Sequence, residues 1–248
     1  MILAGDVGAT KILLEIGEIR SDRWEPLLDR RYSTGEAENF AIVLKTFLDE
    51  CAKAGVGVKK LAAAAIGVGT GLGIAYLIPT GDGGYRALPG EGGHAGFAPA
   101  TPAQLQLWRA IFSQRGRVSA EDIISGPGLP RIHAALRGAP VLAEDMSAEQ
   151  IATAAETGDS CSVQTLDLFS ECLGNVAGDH ALALLARGGV YLAGGVIVKL
   201  LPKLNKDRFR EAFCAKSPHS ALMMKIPVKA AASDRLAILG AAKIAATR

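Results

Sequence analysis

Apolar residues recur along this chain in two rhythms. Short apolar runs bounded by glycine mark strands, and longer stretches with apolar residues every third or fourth position mark helices. Residues 2–6 and 11–17 flank the turn Val7-Gly8-Ala9-Thr10 and predict a β-hairpin, with a third strand over 24–32. Residues 38–54 carry Phe40, Ile42, Val43, Phe47, Leu48 and Cys51 near helical period, and Gly55 and Gly57 close the pattern. Residues 61–66 form a continuous apolar run, the pattern of a buried parallel strand.

A second glycine-punctuated opening follows at 67–73 and leads into a strand over 74–79. Thr80-Gly81-Asp82-Gly83-Gly84 is a strong hairpin turn. Helices are predicted over 102–112, 147–156, 160–185 and 234–246, with a short strand at 190–193. Two hairpins, each opening a mixed strand-and-helix half, predict an α/β protein of two halves rather than one doubly wound sheet.

Composition narrows the function classes. Of 248 residues, 49% are hydrophobic and 21% charged, which excludes a disordered or collagen-like chain. Lys+Arg 27 against Asp+Glu 25 leaves a net charge of +2, too balanced for a nucleic-acid or polybasic membrane partner. The four cysteines form no C-x-x-C pair and read as reduced thiols. The start is a strand rather than a basic, apolar leader, and the apolar passage 181–201 is broken by Arg187 and four glycines. The chain is therefore expected to be soluble and cytoplasmic, with no membrane partner.

The candidate chemistry sits in glycine clusters. There is no G-x-x-x-x-G-K-[ST], and the run at 67–73 does not satisfy G-x-G-x-x-G. What remains is Gly5-Asp6-Val7-Gly8-Ala9-Thr10, then Gly69-Thr70-Gly71-Leu72-Gly73, then Ala193-Gly194-Gly195. Glycines bring backbone N–H groups close to phosphate oxygens, where threonine hydroxyls add donors. Asp6, at a strand end, supplies the oxygen that a hard cation such as Mg²⁺ prefers. Taken singly, each cluster is an ordinary turn; the three in this order are not.

Together they resemble the phosphate-1, phosphate-2 and adenosine motifs of the actin/hexokinase/Hsp70 superfamily. Pro89-Gly90-Glu91-Gly92-Gly93-His94, Ser119-Ala120-Glu121 and Ser125-Gly126-Pro127-Gly128-Leu129 are similar to bacterial glucokinases. The resemblance implies two RNase H-like (actin-like ATPase) domains, an incomplete one over 1–68 and a second over 69–248 carrying sugar- and adenosine-binding elements. It implies ATP and Mg²⁺ as cofactors, D-glucose as substrate and, with the long helix at 160–185, a homodimer. ATP falls to Gly5, Asp6, Val7, Gly8, Ala9, Thr10, Gly69, Thr70, Gly71, Gly194 and Gly195, the metal to Asp6, and the sugar to Glu91, His94 and Glu121.

One departure stands out. The family's catalytic Asp follows an asparagine between the first two motifs, whereas here Asn39, Asn175 and Asn205 all lack a following Asp. The N-terminal half is shortened before Gly67, and no catalytic base is assigned. Asp82 and Asp122 read as a turn residue and a solvated helix residue. Two readings follow: an ATP-dependent glucokinase in shortened form, or a non-catalytic remnant that still binds nucleotide or sugar or serves as an interaction protein.

Overall fold

The computed structural model describes residues 2–7, 11–20, 23–33, 61–80, 85–142 and 146–230. The predicted helices at 38–54 and 234–246, the turn at 81–84 and Gly8, Ala9 and Thr10 lie outside them. The chain divides into two compact units, Met1–Lys60 with Pro79–Gly84, and Leu61–Ile78 with Tyr85–Arg248.

In the first unit, strands β1 (Ile2–Val7), β2 (Lys11–Arg20) and β3 (Arg23–Ser33) form an antiparallel meander. The predicted hairpin is present, with Val7 paired to Ile12 and Ile2 to Gly17. The β2–β3 register slips where Ile16 faces Leu28 and Gly17 faces Pro26. Proline has no N–H to give the ladder, and bulges are where sheets tolerate it.

The second unit holds a mixed sheet in the order β6-β5-β4-β7-β8. Its members are β4 (Ala63–Val68), β5 (Leu72–Pro79), β6 (Tyr85–Gly90), β7 (Gly189–Ala193) and β8 (Val228–Ala230). β4 is central, antiparallel to β5 and parallel to β7, and Ala63, Ala64, Ile66 and Val68 are buried. Burial on both faces explains its unbroken apolar run. The boundary at 68/69 that the resemblance implies falls in the turn of this β4–β5 hairpin, where Val68 pairs with Leu72.

Seven helices are described, beginning with α1 (Pro102–Arg115), α2 (Gly128–Leu136), α3 (Ala148–Glu156) and α4 (Ser160–Leu184). They continue with α5 (Gly195–Leu200), α6 (Lys206–Cys214) and α7 (Ser220–Met223). Local chemistry sets their ends. Thr101 accepts the Gln104 N–H before Pro102 at the start of α1, and Gly116, left-handed at φ 71°, closes it. Ser147 and Gln150 form a reciprocal capping box on α3.

α4 is the core helix, burying Phe169, Cys172, Leu173, Ala177 and Ala181 completely. Burying a Leu or Phe stabilises by about 2–3 kcal/mol each, so this one face outweighs any cap. Gly174 and Gly178 let α6 approach, since an added Cβ would lie 2.2 Å from the Phe209 carbonyl oxygen and 2.7 Å from that of Phe213. Among the described residues, no helix is long and apolar enough to cross a membrane.

Candidate functional site

The hairpin turn between β4 and β5 is the hub of the second unit. Val68 pairs with Leu72, leaving Gly69, Thr70 and Gly71 as the loop, and the Gly69 N–H donates to the Gly71 carbonyl at 2.9 Å. Leu72 points its N–H toward one group of residues, while Gly69 and Thr70 line another.

On the first side, residues 91–97 fold against 118–121. A 3-10 turn at Gly92–His94 is followed by main-chain bonds from Ala120 N–H to Ala95 O and Glu121 N–H to Gly93 O, both 2.9 Å, and from Phe97 N–H to Val118 O at 3.0 Å. Gly93 presses on β5 so closely that a Cβ would lie 1.9 Å from the Leu72 carbonyl oxygen. This backbone pairing brings Glu121 to Glu91 and His94, which lie far from it in sequence. His94 Nε2 lies 3.9 Å from Glu91 Oε2, and His94 Nδ1 lies 3.8 Å from Glu121 Oε1.

Glu121 is anchored from below. Its Oε2 accepts the Leu72 N–H at 2.8 Å, and it occupies the space a side chain on Gly71 would need, since a Cβ there would lie 2.6 Å from Oε2. Arg117 steadies the turn by donating to the His94 carbonyl at 2.8 Å. Two carboxylates flanking an imidazole, separated by more than hydrogen-bond distance, leave acceptor positions open to ligand hydroxyls.

Asp122 differs from the solvated helix residue expected of it. Residues 119–127 are a series of turns, not a helix, and Asp122 is buried. Its Oδ2 accepts the Ser119 N–H at 2.9 Å and the Ser119 hydroxyl at 2.8 Å. Arg115 and Arg131 approach its Oδ1 at 3.1 and 3.5 Å. Two guanidiniums from α1 and α2 balance the buried carboxylate, and the locked turn presents Glu121. The Ser119–Asp122 spacing is that of a capping box, but no local pattern in the chain announces the two arginines.

On the second side, Gly69, Thr70 and Gly195 share a cleft of about 680 Å³. Leu129, Ala148, Ala152, Val196 and Leu200 give it apolar walls, and Glu149, Lys199 and Lys203 give it charge. Gly194, at φ 100°, caps α5 against β4, where a Cβ would lie 2.3 Å from the Val68 carbonyl oxygen. The Gly126 N–H donates to the Gly69 carbonyl at 2.8 Å, tying in the glycines of 126–128. Lys199 lies 3.7 Å from Glu149 and Lys203 2.9 Å from Glu156. Lys199 stands on α5 and Lys203 in the turns that follow it, both shortly after Gly194-Gly195 in the sequence.

Gly5, Asp6 and Val7 lie in β1 opposite Leu14, Leu13 and Ile12, in the other unit. The predicted residues therefore fall into a three-residue polar group, a glycine-lined cleft joined to it through one turn, and a strand in the first unit.

The family model described as glucokinase matches residues 53–248. The chain is 41% identical over 186 residues to a glucokinase of Sinorhizobium medicae, covering 73% of this chain and 54% of that protein. It is 41% identical over 197 residues to a glucokinase of Cupriavidus metallidurans, covering 78% and 58%. The chain thus spans about half the length of the curated relatives it matches. Among solved structures, glucokinase from an Antarctic psychrotroph superposes with a TM-score of 0.69 at 22% identity, over 99% of this chain and 98% of that one. Glucokinase from Balamuthia mandrillaris, solved in complex with glucose, gives 0.57 at 23% identity, over 91% and 71%. These structural likenesses speak for a shared mixed α/β fold, and with the family match over most of its length the chain belongs to the glucokinase family.

Proposed function

We propose that this protein is an ATP-dependent hexose kinase acting on D-glucose, built as two RNase H-like halves of which the first is shortened, and working in the cytoplasm. The observation that carries the reading is the shared β4–β5 turn: Leu72 binds Glu121 beside His94, while Gly69 and Thr70 line the cleft with Gly195. A sugar hydroxyl and a terminal phosphoryl group must meet for transfer, and one three-residue loop bordering both sites is suited to that.

In this reading Glu91, His94 and Glu121 fix the hexose by its individual hydroxyls, the carboxylates accepting and the imidazole donating or accepting. The apolar walls take the adenine, Gly69, Thr70, Gly71, Gly194 and Gly195 admit or contact the nucleotide, and Lys199 and Lys203 supply positive charge. Gly5, Asp6, Val7, Gly8, Ala9 and Thr10 are assigned to the nucleotide phosphates from their sequence motif. The Asp6 carboxylate is a donor suited to Mg²⁺, which when bound offsets phosphate charge. No residue is assigned as base, and losing one lowers the rate by about 10²–10⁴-fold.

A coupled assay of glucose-dependent ADP release tests the proposal, alongside calorimetric titration of glucose. Turnover that Glu121→Ala abolishes is the expected result. Glucose binding without turnover assigns the chain to the non-catalytic reading. Failure of both overturns the sugar site.

A further inference from the structure

Behind the Glu91–His94 turn lies a polar pair that the proposed chemistry does not use. His180, near the C-terminal end of α4, and Tyr76, on β5, are both half-buried. The Tyr76 hydroxyl and His180 Nδ1 are 2.8 Å apart, and the rings are tilted by 45° with centroids 6.0 Å apart. The hydrogen bond fixes the orientation of the imidazole, which packing alone would leave free to flip.

Gly92 rests on that ring. A Cβ on Gly92 would lie 3.0 Å from His180 Cε1 and 3.1 Å from Ile74 Cβ, tighter than ordinary van der Waals contact. Gly92 opens the 3-10 turn: its carbonyl accepts the Ala95 N–H at 3.1 Å, and the Glu91 carbonyl accepts the His94 N–H at 3.0 Å. The height of Gly92 above the imidazole therefore sets where Glu91 and His94 stand relative to Glu121, which is tied separately to Leu72. Gly93 against the Leu72 carbonyl, Ile74 beside Gly92 and Arg117 at the His94 carbonyl hold the turn as well; His180 is the support beneath Gly92 that comes from α4.

Charge does not account for the pair. Burial lowers the His180 pKa, against a smaller opposing pull from Asp179, so the imidazole is neutral near pH 7. Asp179 itself pairs with Lys216 at 2.6 Å. His180 is thus held by Tyr76 and by contact, as a rigid surface rather than an ionic partner.

We propose that His180, oriented by Tyr76, is a positioning residue that sets the height of the Glu91–His94 turn and so tunes hexose affinity; this rests on the sugar-binding reading of Glu91, His94 and Glu121. It touches no reacting atom.

The test is calorimetric titration of the full chain with D-glucose and, separately, with MgATP, for wild type, His180→Ala, His180→Phe, Tyr76→Phe, Gly92→Ala and the Gly92→Ala/His180→Ala double variant. His180→Ala is expected to weaken glucose binding about tenfold while MgATP affinity stays within about twofold. His180→Phe, which keeps a ring beneath Gly92, recovers most of that loss, and Tyr76→Phe gives a smaller one. Gly92→Ala weakens glucose binding at least about threefold more in the wild-type background, where the imidazole is present, than in the His180→Ala background, because contacting residues couple.

Unchanged glucose affinity in His180→Ala, equal losses for glucose and MgATP, or additive effects of the two substitutions would overturn the proposal. If His180→Ala does not fold, Tyr76→Phe and the penalty of Gly92→Ala in the His180→Phe background decide in its place. Wild-type protein that binds MgATP but no glucose overturns the sugar-site reading itself, and the support role with it. That outcome is distinct from glucose binding that is indifferent to His180.

Discussion

The two sides of the β4–β5 turn are built from different materials. Toward Glu91, His94 and Glu121 the working groups are charged or ionisable side chains, and main-chain hydrogen bonds between 93–97 and 118–121 hold them. Toward the cleft the working surface is glycine backbone and aliphatic side chains, with Lys199 and Lys203 each matched to a glutamate. The first side is specified by where a few polar atoms stand; the second by how closely backbone can approach. An error of an ångström in side-chain placement would damage the first, whereas an added methyl group would damage the second.

Gly93 is the severest test of this contrast, because it places a backbone constraint on the side-chain side. Gly93→Ala sets a Cβ 1.9 Å from the Leu72 carbonyl oxygen, with main chain on both sides of the clash. Stability should fall by about 3 kcal/mol in denaturant unfolding, with glucose binding lost. A drop below about 1 kcal/mol would mean that the turn can lift freely off β5.

Gly194→Ala probes the other side. Its φ of 100° and the Val68 carbonyl 2.3 Å from an added Cβ penalise any side chain. A cost of about 2–3 kcal/mol is expected, with MgATP affinity reduced and glucose affinity retained in the folded fraction. Equal loss of both ligands would dissolve the distinction between the two sides.

Asp122→Asn sharpens it. Arg115 and Arg131 would lose their carboxylate partner, at a cost of about 2 kcal/mol given that both guanidiniums are partly exposed. Loosening the 119–122 turn should weaken glucose binding and spare MgATP, read by the same titrations.

The smallest effect is one of pH. A histidine whose pKa is lowered in the folded state binds fewer protons there than when unfolded, where it titrates near about 6.5. Stability contributed by neutral His180 is therefore complete above that value and is lost as pH falls through the depressed folded pKa. Unfolding curves of wild type should slope downward below pH 6.5 more steeply than those of His180→Phe. Parallel slopes would show that burial of the imidazole has no energetic consequence.

What could be read from the sequence divides along a similar line. Glycine clusters, caps and apolar periods are local, so the first hairpin, the strand at β4, and α1, α3 and α4 were legible within a few residues. α2 was missed because Gly126-Pro127-Gly128 looks like loop punctuation, although helix begins at Gly128. α6 was missed because Lys206–Cys214 is largely polar and buries only Phe213. Glu91, His94 and Glu121 were expected as sugar ligands from resemblance alone, since no spacing rule joins Glu121 to the Glu91–His94 turn. Asp122 was singled out but read as solvated, and His180 and Tyr76 were not singled out at all, because their partners are brought in by other elements: Arg115 and Arg131 to Asp122, Tyr76 to His180, and Gly92 onto the imidazole.

The position of β4 also dictates an order of events when the chain is made. One edge of β4 can pair at once with β5, which is synthesised immediately after it, so the turn carrying Gly69 and Thr70 forms early. Its other edge waits for β7, where Ala63 meets Gly189 and Gly67 meets Ala193, and everything from the Glu91 turn to the end of α4 must emerge first. During that interval a strand of almost pure alanine, isoleucine and valine has an unpaired edge. A nascent chain that has emerged from the ribosome to a point between residues 90 and 185 therefore has its hairpin made and its sheet open, the state in which chaperone capture or aggregation is most expected.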